Sequence, residues 1–216
     1  VSLRRGGPMK VGPPRRMAPE DRRQHLIDAA LRLFAGRPPQ EVSIDDIAEQ
    51  AEVSRALVYR YFPSTEAIHV AALRAAADDL IGRLTLSRDG TLLEQLTASV
   101  TDFVDFATSY APTYLALLRT GSVVSTPDTD ALIDDVRQHA LAEIFARAGV
   151  TNSTPLMTLT VQCWIAVVEG STLAWLQDKF CSRDELVAWH TRQFVAMLST
   201  TTNADPAMSA MLDALL

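Results

Sequence analysis

Arg55, Tyr59 and Arg60 lie close together in the stretch SRALVYRYF, residues 54–62. Guanidinium groups bind phosphate oxygens or guanine edges through two parallel hydrogen bonds, and a phenol can donate to a phosphate oxygen. At about 100° per residue, Arg55, Ala56, Tyr59 and Arg60 share an arc of roughly 140°, with Leu57, Val58 and Tyr61 on the opposite arc. One side is suited to packing. The other offers two cations, a phenol and, at Ala56, a gap through which the backbone can approach a partner. Duplex DNA fits that chemistry. A surface helix with incidental arginines would carry the same pattern, so spacing alone leaves both readings open.

The elements that must position this face are helical. Leu26, Ile27, Ala30, Leu33 and Phe34 recur at the spacing of one helix face from Pro19 onward, and Gly36 and Pro38 stop it. Ser43 with Asp46 three residues on forms a capping-box pair before the stripe Ile44, Ile47, Ala48 and Ala51. Ser54 caps a third short helix, which ends near Tyr61 because Pro63 disfavours helical geometry before it. About three residues separate the second and third helices, the spacing of a helix-turn-helix. Ser64 caps a fourth helix to about Leu84. Further helices follow near 91–109, 112–119, 128–148, 155–178 and 183–199, and Asp205-Pro206 starts a short tail helix. With no strand or hairpin signal, the expected fold is all-α.

The chain has 216 residues, 48% of them hydrophobic, enough to bury a core. Its net charge of −6 argues against a nucleic-acid partner, yet the charge is segregated. Residues 1–70 hold eleven Lys and Arg against nine Asp and Glu, a balance of +2; the rest hold nine against seventeen, a balance of −8. Residues 1–18, with Arg4, Arg5, Lys10, Arg15 and Arg16 among glycines and prolines, are expected to form a flexible basic arm. Cys163 and Cys181 have neither CxxC spacing nor nearby histidines, so no disulfide framework, metal site or cofactor is expected. The longest purely apolar run, Cys163 to Val168, is far short of a membrane span, and a cytoplasmic protein is expected. HExxH, phosphate-loop and nucleophile-elbow patterns are absent. The histidines His25, His69, His139 and His190 are scattered, and the carboxylates Asp105 and Glu169 have no spacing that would pair them. A helical enzyme acting on a small molecule is the rival reading, and no catalytic residue is assigned.

Residues 22–73, RRQHLIDAALRLFAGRPPQEVSIDDIAEQAEVSRALVYRYFPSTEAIHVAAL, resemble the amino-terminal DNA-binding domain of TetR-family transcriptional regulators. The resemblance rests on AALRLF, VSIDDIAEQAEVS, LVYRYF and PSTEAI in unbroken order. It implies that Ser43 donates to a DNA phosphate and that Ser54 and Tyr59 hold the backbone. Arg55, Ala56 and Arg60 would face the major groove, while Tyr61 and Phe62 lock the helix to its neighbours and Tyr61 also reaches phosphate. Two positions depart from the family pattern. Glu52 stands where glycine is usual, which costs about 1 kcal/mol if that residue takes positive φ. Thr65 stands where lysine is usual. Arg15, Arg16 and the other arm cations would compensate by reaching phosphates or the minor groove, by analogy with homeodomain arms.

Beyond the arm 1–18, which composition gives, a helix-turn-helix domain 19–66 is expected, and the resemblance implies a ligand-binding and dimerisation domain over 67–216. Trp164, Val168 and Trp175 share one stripe of the 155–178 helix. Phe103, Phe106, Tyr110, Tyr114 and Leu118 come from segments expected to face it, so these eight residues are candidates to line a pocket for a small apolar or aromatic effector. Asp105, Arg119, Gln162 and Glu169 are its candidate polar contacts. Each lining residue has ordinary core packing as its alternative. The 155–178 and 183–199 helices, the second with Trp189, Phe194, Met197 and Leu198, are expected to form a twofold homodimer on a palindromic double-stranded DNA operator. The expected activity is repression relieved by ligand through displacement of the fourth helix, with a constitutive dimeric DNA-binding protein as the alternative.

Overall fold

A computed structural model describes residues 17–86, 89–118, 126–202, 204–205 and 208–215. Arg15, Arg16 and Arg119 lie outside the described residues. Pro19 opens α1 (Pro19–Phe34) in the first turn, where a missing N–H is tolerated and φ is already helical. A 3-10 turn, Pro39–Glu41, leads to α2 (Ile44–Gln50). There the Ser43 hydroxyl accepts from the Asp46 N–H at 3.2 Å and the Asp46 carboxylate accepts from the Ser43 N–H at 2.8 Å, a complete capping box. Ser54 caps α3 (Arg55–Tyr61) and Ser64 caps α4 (Thr65–Leu84). Then come α5 (Leu92–Ser109), α6 (Ala111–Leu118), α7 (Pro127–Arg147), α8 (Pro155–Asp178), α9 (Arg183–Thr202) and α10 (Met208–Leu215). No strand occurs among the described residues, and the fold is all-α with an amino-terminal helix-turn-helix, as expected.

The turn between α2 and α3 explains how the second helix delivers the third. The Glu52 N–H donates to the Glu49 carbonyl at 3.0 Å and the Val53 N–H to the Ala48 carbonyl at 2.9 Å. That reciprocal pair is a Schellman motif, and it requires a left-handed residue at its centre. Glu52 takes that conformation with φ 54°. The chain reverses there without a glycine.

Two cores hold the molecule. The first joins Leu26, Ala30 and Phe34 of α1 to Ile47, Val58 and Ile68 of the next three helices. It also takes in Ala72 and Leu73 of α4 and Leu132 of α7. The second joins Val100 and Val104 of α5, Val161 and Trp164 of α8, and Phe194 and Leu198 of α9. Burial of each large side chain contributes roughly 1.5–3 kcal/mol. Residue 66, the expected domain boundary, sits at the start of α4, whose first half packs into the first core and whose Leu80 and Leu84 are buried further along.

By length and composition α8 is long and apolar enough to cross a membrane, a property its short purely apolar run does not reveal. Its inner stripe, including Val161, Trp164 and Val168, fills the second core. Between Leu159 and Ala174 its outer stripe exposes Leu159, Gln162, Cys163, Ala166, Gly170 and Ala174, with no charge. The expectation for α9 needs correction. Phe194 and Leu198 are buried within the chain itself, with the Phe194 ring 4.5 Å from that of Trp164, because α9 turns the stripe 187, 190, 191, 194 and 198 inward. Met197 is half-buried and only Trp189 of the four is exposed.

Candidate nucleic-acid interface and ligand cavities

α3 divides as its periodicity demands. Val58 is fully buried against the first core and Tyr61 packs beside it, whereas Ser54, Arg55, Ala56, Tyr59 and Arg60 are exposed. Phe62 is buried and anchors the end of α3, with the Arg23 guanidinium 5.1 Å above its ring. Ser54 accepts from the Leu57 N–H at 3.3 Å, which satisfies one orphan donor at the helix start. Arg55 meets Asp45 of α2 at 2.9 Å, an exposed pair worth about 0–1 kcal/mol and therefore easily exchanged for a phosphate.

Ser43 is exposed, but its hydroxyl proton is committed: it donates to the Asp46 carboxylate at 2.6 Å. The bonds from Ser43 hold the Asp46 carboxyl down at about 2, and Arg37 at 3.2 Å adds to the effect. A phosphate at this helix start would have to displace Asp46 to receive that proton.

Two apolar cavities lie behind the helix-turn-helix, each of about 100 Å³. Phe103, Val136 and Glu169 line both and so form the wall between them. Trp164 and Val168 line the first, between α4, α5, α7, α8, α9 and α10. Phe106, Tyr110, Tyr114 and Leu118 line the second, which reaches Leu31 and Phe34 of α1. Burial pushes the Tyr114 phenol far above its ordinary value, so it stays protonated and donates to the Glu169 carbonyl at 3.1 Å.

Trp175, expected with these residues, lines neither cavity. Its indole N–H donates to the Cys181 carbonyl at 2.8 Å and the Lys179 ammonium sits 3.3 Å over its ring, which ties it to the end of α8. Of the polar candidates, Asp105 is held by the Arg183 guanidinium and Gln162 faces outward. Glu169 is gripped by Arg137 through bonds of 2.7–3.1 Å. Asp105 and Glu169 thus each have an arginine of their own.

The helix expected near 128–148 is present as α7, but none of its residues was among the expected lining residues. Its Val136, Arg137, Ala140, Glu143, Ile144 and Arg147 face the first cavity, and Arg147 touches α4, α5 and the chain beyond α4. The charged run LIDDVRQHALAEIFAR looks like a solvated face, and only the small apolar residues at 136, 140 and 144 hint at an inward stripe.

A helix-turn-helix on a larger helical body with internal cavities defines a class of DNA-binding regulators, and comparison with known proteins narrows it. The family described as bacterial regulatory proteins, tetR family, matches residues 26–72, and the tetracyclin repressor-like C-terminal domain matches residues 92–197. A tetR-family transcriptional regulator from Streptomyces coelicolor has a crystal structure that superposes with a TM-score of 0.86 at 38% identity, covering 92% of this chain and 90% of that one. The chain belongs to the TetR family of DNA-binding transcriptional regulators. The HTH-type transcriptional repressor KstR of Rhodococcus jostii is 27% identical over 183 residues, 82% of this chain and 76% of KstR. At the level of fold alone, FadR from Bacillus subtilis in complex with stearoyl-CoA matches with a TM-score of 0.61 at 16% identity, covering 79% and 96%.

Proposed function

We propose that this regulator is a homodimeric repressor that occupies a palindromic operator and is released by a small, largely apolar effector. One observation carries the DNA half of this reading: Val58 is buried while Ser54, Arg55, Ala56, Tyr59 and Arg60 are exposed on one flank of α3. Arg55, Ala56 and Arg60 read the major groove. Ser43, Ser54, Tyr59 and Tyr61 hold the backbone, and Arg15 and Arg16 of the arm add phosphate contacts. The uncharged outer stripe of α8, with Trp189 of α9, receives the second copy and sets two recognition helices on successive half-sites. Repression is the activity of the relative KstR, and ligand capture within this fold is exemplified by FadR with stearoyl-CoA.

The size of the cavities favours a second reading. About 100 Å³ each, or about 200 Å³ together, is below the roughly 300–1,000 Å³ of ligand sites, which suits a constitutive DNA-binding dimer unless a ligand displaces lining side chains as well as joining the two. Ligand-induced thermal shifts separate these alternatives. The DNA half is tested by fluorescence anisotropy on duplexes that the protein selects from a random pool. Replacement of a base-contacting arginine, Arg55→Ala or Arg60→Ala, costs roughly 1–3 kcal/mol on the selected duplex and less on random DNA. Equal losses on both would remove Arg55 and Arg60 from base readout, and no binding at all would remove the operator.

A further inference from the structure

Two guanidinium groups face the first cavity, and they are not equivalent. Arg137 is met by two carboxylates, Glu169 at 2.7 Å and Asp134 at 3.0 Å, so an added anion finds its charge already overbalanced. Arg147 is met by one, Glu143 at 2.8 Å. Its remaining donors rest on neutral oxygens: the Ser99 hydroxyl at 2.9 Å, the Leu86 carbonyl at 3.0 Å and the Leu84 carbonyl. The Arg147 side chain is 15% exposed, and Leu84, Ser99, Glu143 and Arg147 all line the same cavity.

Leu84 is the last residue of α4. Its carbonyl belongs to the unsatisfied end of the helix, where partial negative charge accumulates and a cation is favourable. Arg147 thus fastens the end of the helix whose opening half packs into the DNA-binding core. The guanidinium makes single hydrogen bonds to these uncharged carbonyls, whereas an anionic oxygen pair adds the attraction of opposite charges and can take two parallel N–H donors at once, so an anion in the cavity competes for the donors now spent on Leu84 and Leu86.

We propose that Arg147 receives the anionic head of an amphipathic effector, a carboxylate or comparable oxyanion with an apolar tail, and that this exchange unlatches α4. The inference rests on the reading of the protein as a ligand-released regulator and specifies the class of ligand and the residue that reports it. Arg147 binds the head directly and acts on DNA only through α4.

The test compares octanoate with 1-octanol, which share a tail and differ in charge. Calorimetry on the full chain without DNA reads the anion site independently of any operator, and anisotropy on a self-selected duplex reads release. Octanoate is expected to bind at least tenfold more tightly than octanol and to release the duplex at correspondingly lower concentration. Arg147→Gln brings the two affinities within about twofold, and Arg147→Lys restores part of the preference. Because loss of Arg147 loosens α4, Glu143→Gln supplies a test in the opposite direction: removal of the one compensating carboxylate widens the preference for octanoate. Equal binding of octanoate and octanol to the wild-type chain, binding of neither, or an unchanged preference in both Gln variants overturns the proposal. Preferential octanoate binding in a protein that selects no duplex would instead keep the anion site and discard the regulator reading.

Discussion

Glu52→Gly isolates the one backbone conformation in the helix-turn-helix that the sequence is poorly suited to adopt. An L-residue in the left-handed region costs about 1–2 kcal/mol. Glycine removes that cost but gives the unfolded chain more freedom, an offset of about 0.4–1 kcal/mol. Glu52 also places a carboxylate just beyond the carbonyl end of α2, which has no basic residue in its last turn, and relief of that contact adds about 0.3–1 kcal/mol at low salt. The net expected gain is about 1 kcal/mol, or roughly 2–4 °C in Tm for a chain of this size. The same motif recurs at the end of α7, with Gly149 at φ 66°, its N–H on the Ala146 carbonyl and the Val150 N–H on the Phe145 carbonyl. A Cβ at Gly149 meets nothing within 4 Å, so Gly149→Glu imposes the backbone cost and a carboxylate at the carbonyl end of α7, with no steric clash added. Differential scanning calorimetry at fixed protein concentration and low salt should show Glu52→Gly melting higher and Gly149→Glu melting lower than the wild type. An unchanged or lower Tm for Glu52→Gly would show that the turn relaxes around glutamate and that its φ carries no strain.

Other expectations follow from particular side chains. A Cβ at Gly170 also meets nothing within 4 Å, so Gly170→Ala should stabilise α8 within one protomer by up to about 1 kcal/mol. Gly170→Glu places charge on the outer stripe, and analytical ultracentrifugation should then show a monomer if that stripe receives a second copy. Burial lowers the His190 pKa to about 4, against about 6.5 when unfolded, so between these values the unfolded chain binds the extra proton. The associated stability is complete above pH 6.5, is lost as pH falls toward 4, and amounts to at most about 3 kcal/mol. Urea unfolding at pH 7 and pH 5 should show this loss in the wild type and much less of it in His190→Gln. Duplex release should be steeper than hyperbolic in effector if each protomer contributes its own coupling, which a release titration measures directly.

The sequence is most informative where one helix face has one task. The caps Ser43, Ser54 and Ser64, the stop at Pro63 and the split of α3 follow from local rules, because each is settled within four or five residues. Glu52 is legible as a departure from the family pattern, and its positive φ follows from the hydrogen bonds of the turn. The first cavity is less legible because its walls come from six helices whose relative rotation no local pattern encodes. Trp175 shares a stripe with Trp164 and Val168, yet it lies about two turns beyond Val168, where the chain folds back through Cys181 and claims its indole N–H. Phe194 and Leu198 were ambiguous in a different way. An apolar residue on a helix between two interfaces can face either, and α9 gives its own core the larger stripe.

The two cavities touch α4 at different points, which bears on how a ligand, if bound as proposed, would reach the recognition helix. The second is bounded by Leu31 and Phe34 of α1 and by Leu73 and Ala76 of α4, and the Thr113 hydroxyl donates to the Phe34 carbonyl at 2.9 Å across the same junction. The first reaches the far end of α4 through Leu84 and Arg147. α4 has 20 residues and so is about 30 Å long, with one end in the core behind α3 and the other at the first cavity. A ligand can move such a lever only by the difference in its affinity for the two positions. Typical couplings are about 1–3 kcal/mol per site, whereas the change from 99% to 1% occupancy needs about 5.5 kcal/mol. One filled cavity therefore falls short unless its coupling is unusually strong. In the proposed dimer, two protomers on one operator would come close to that requirement, which would make dimerisation part of the switch as well as of DNA recognition.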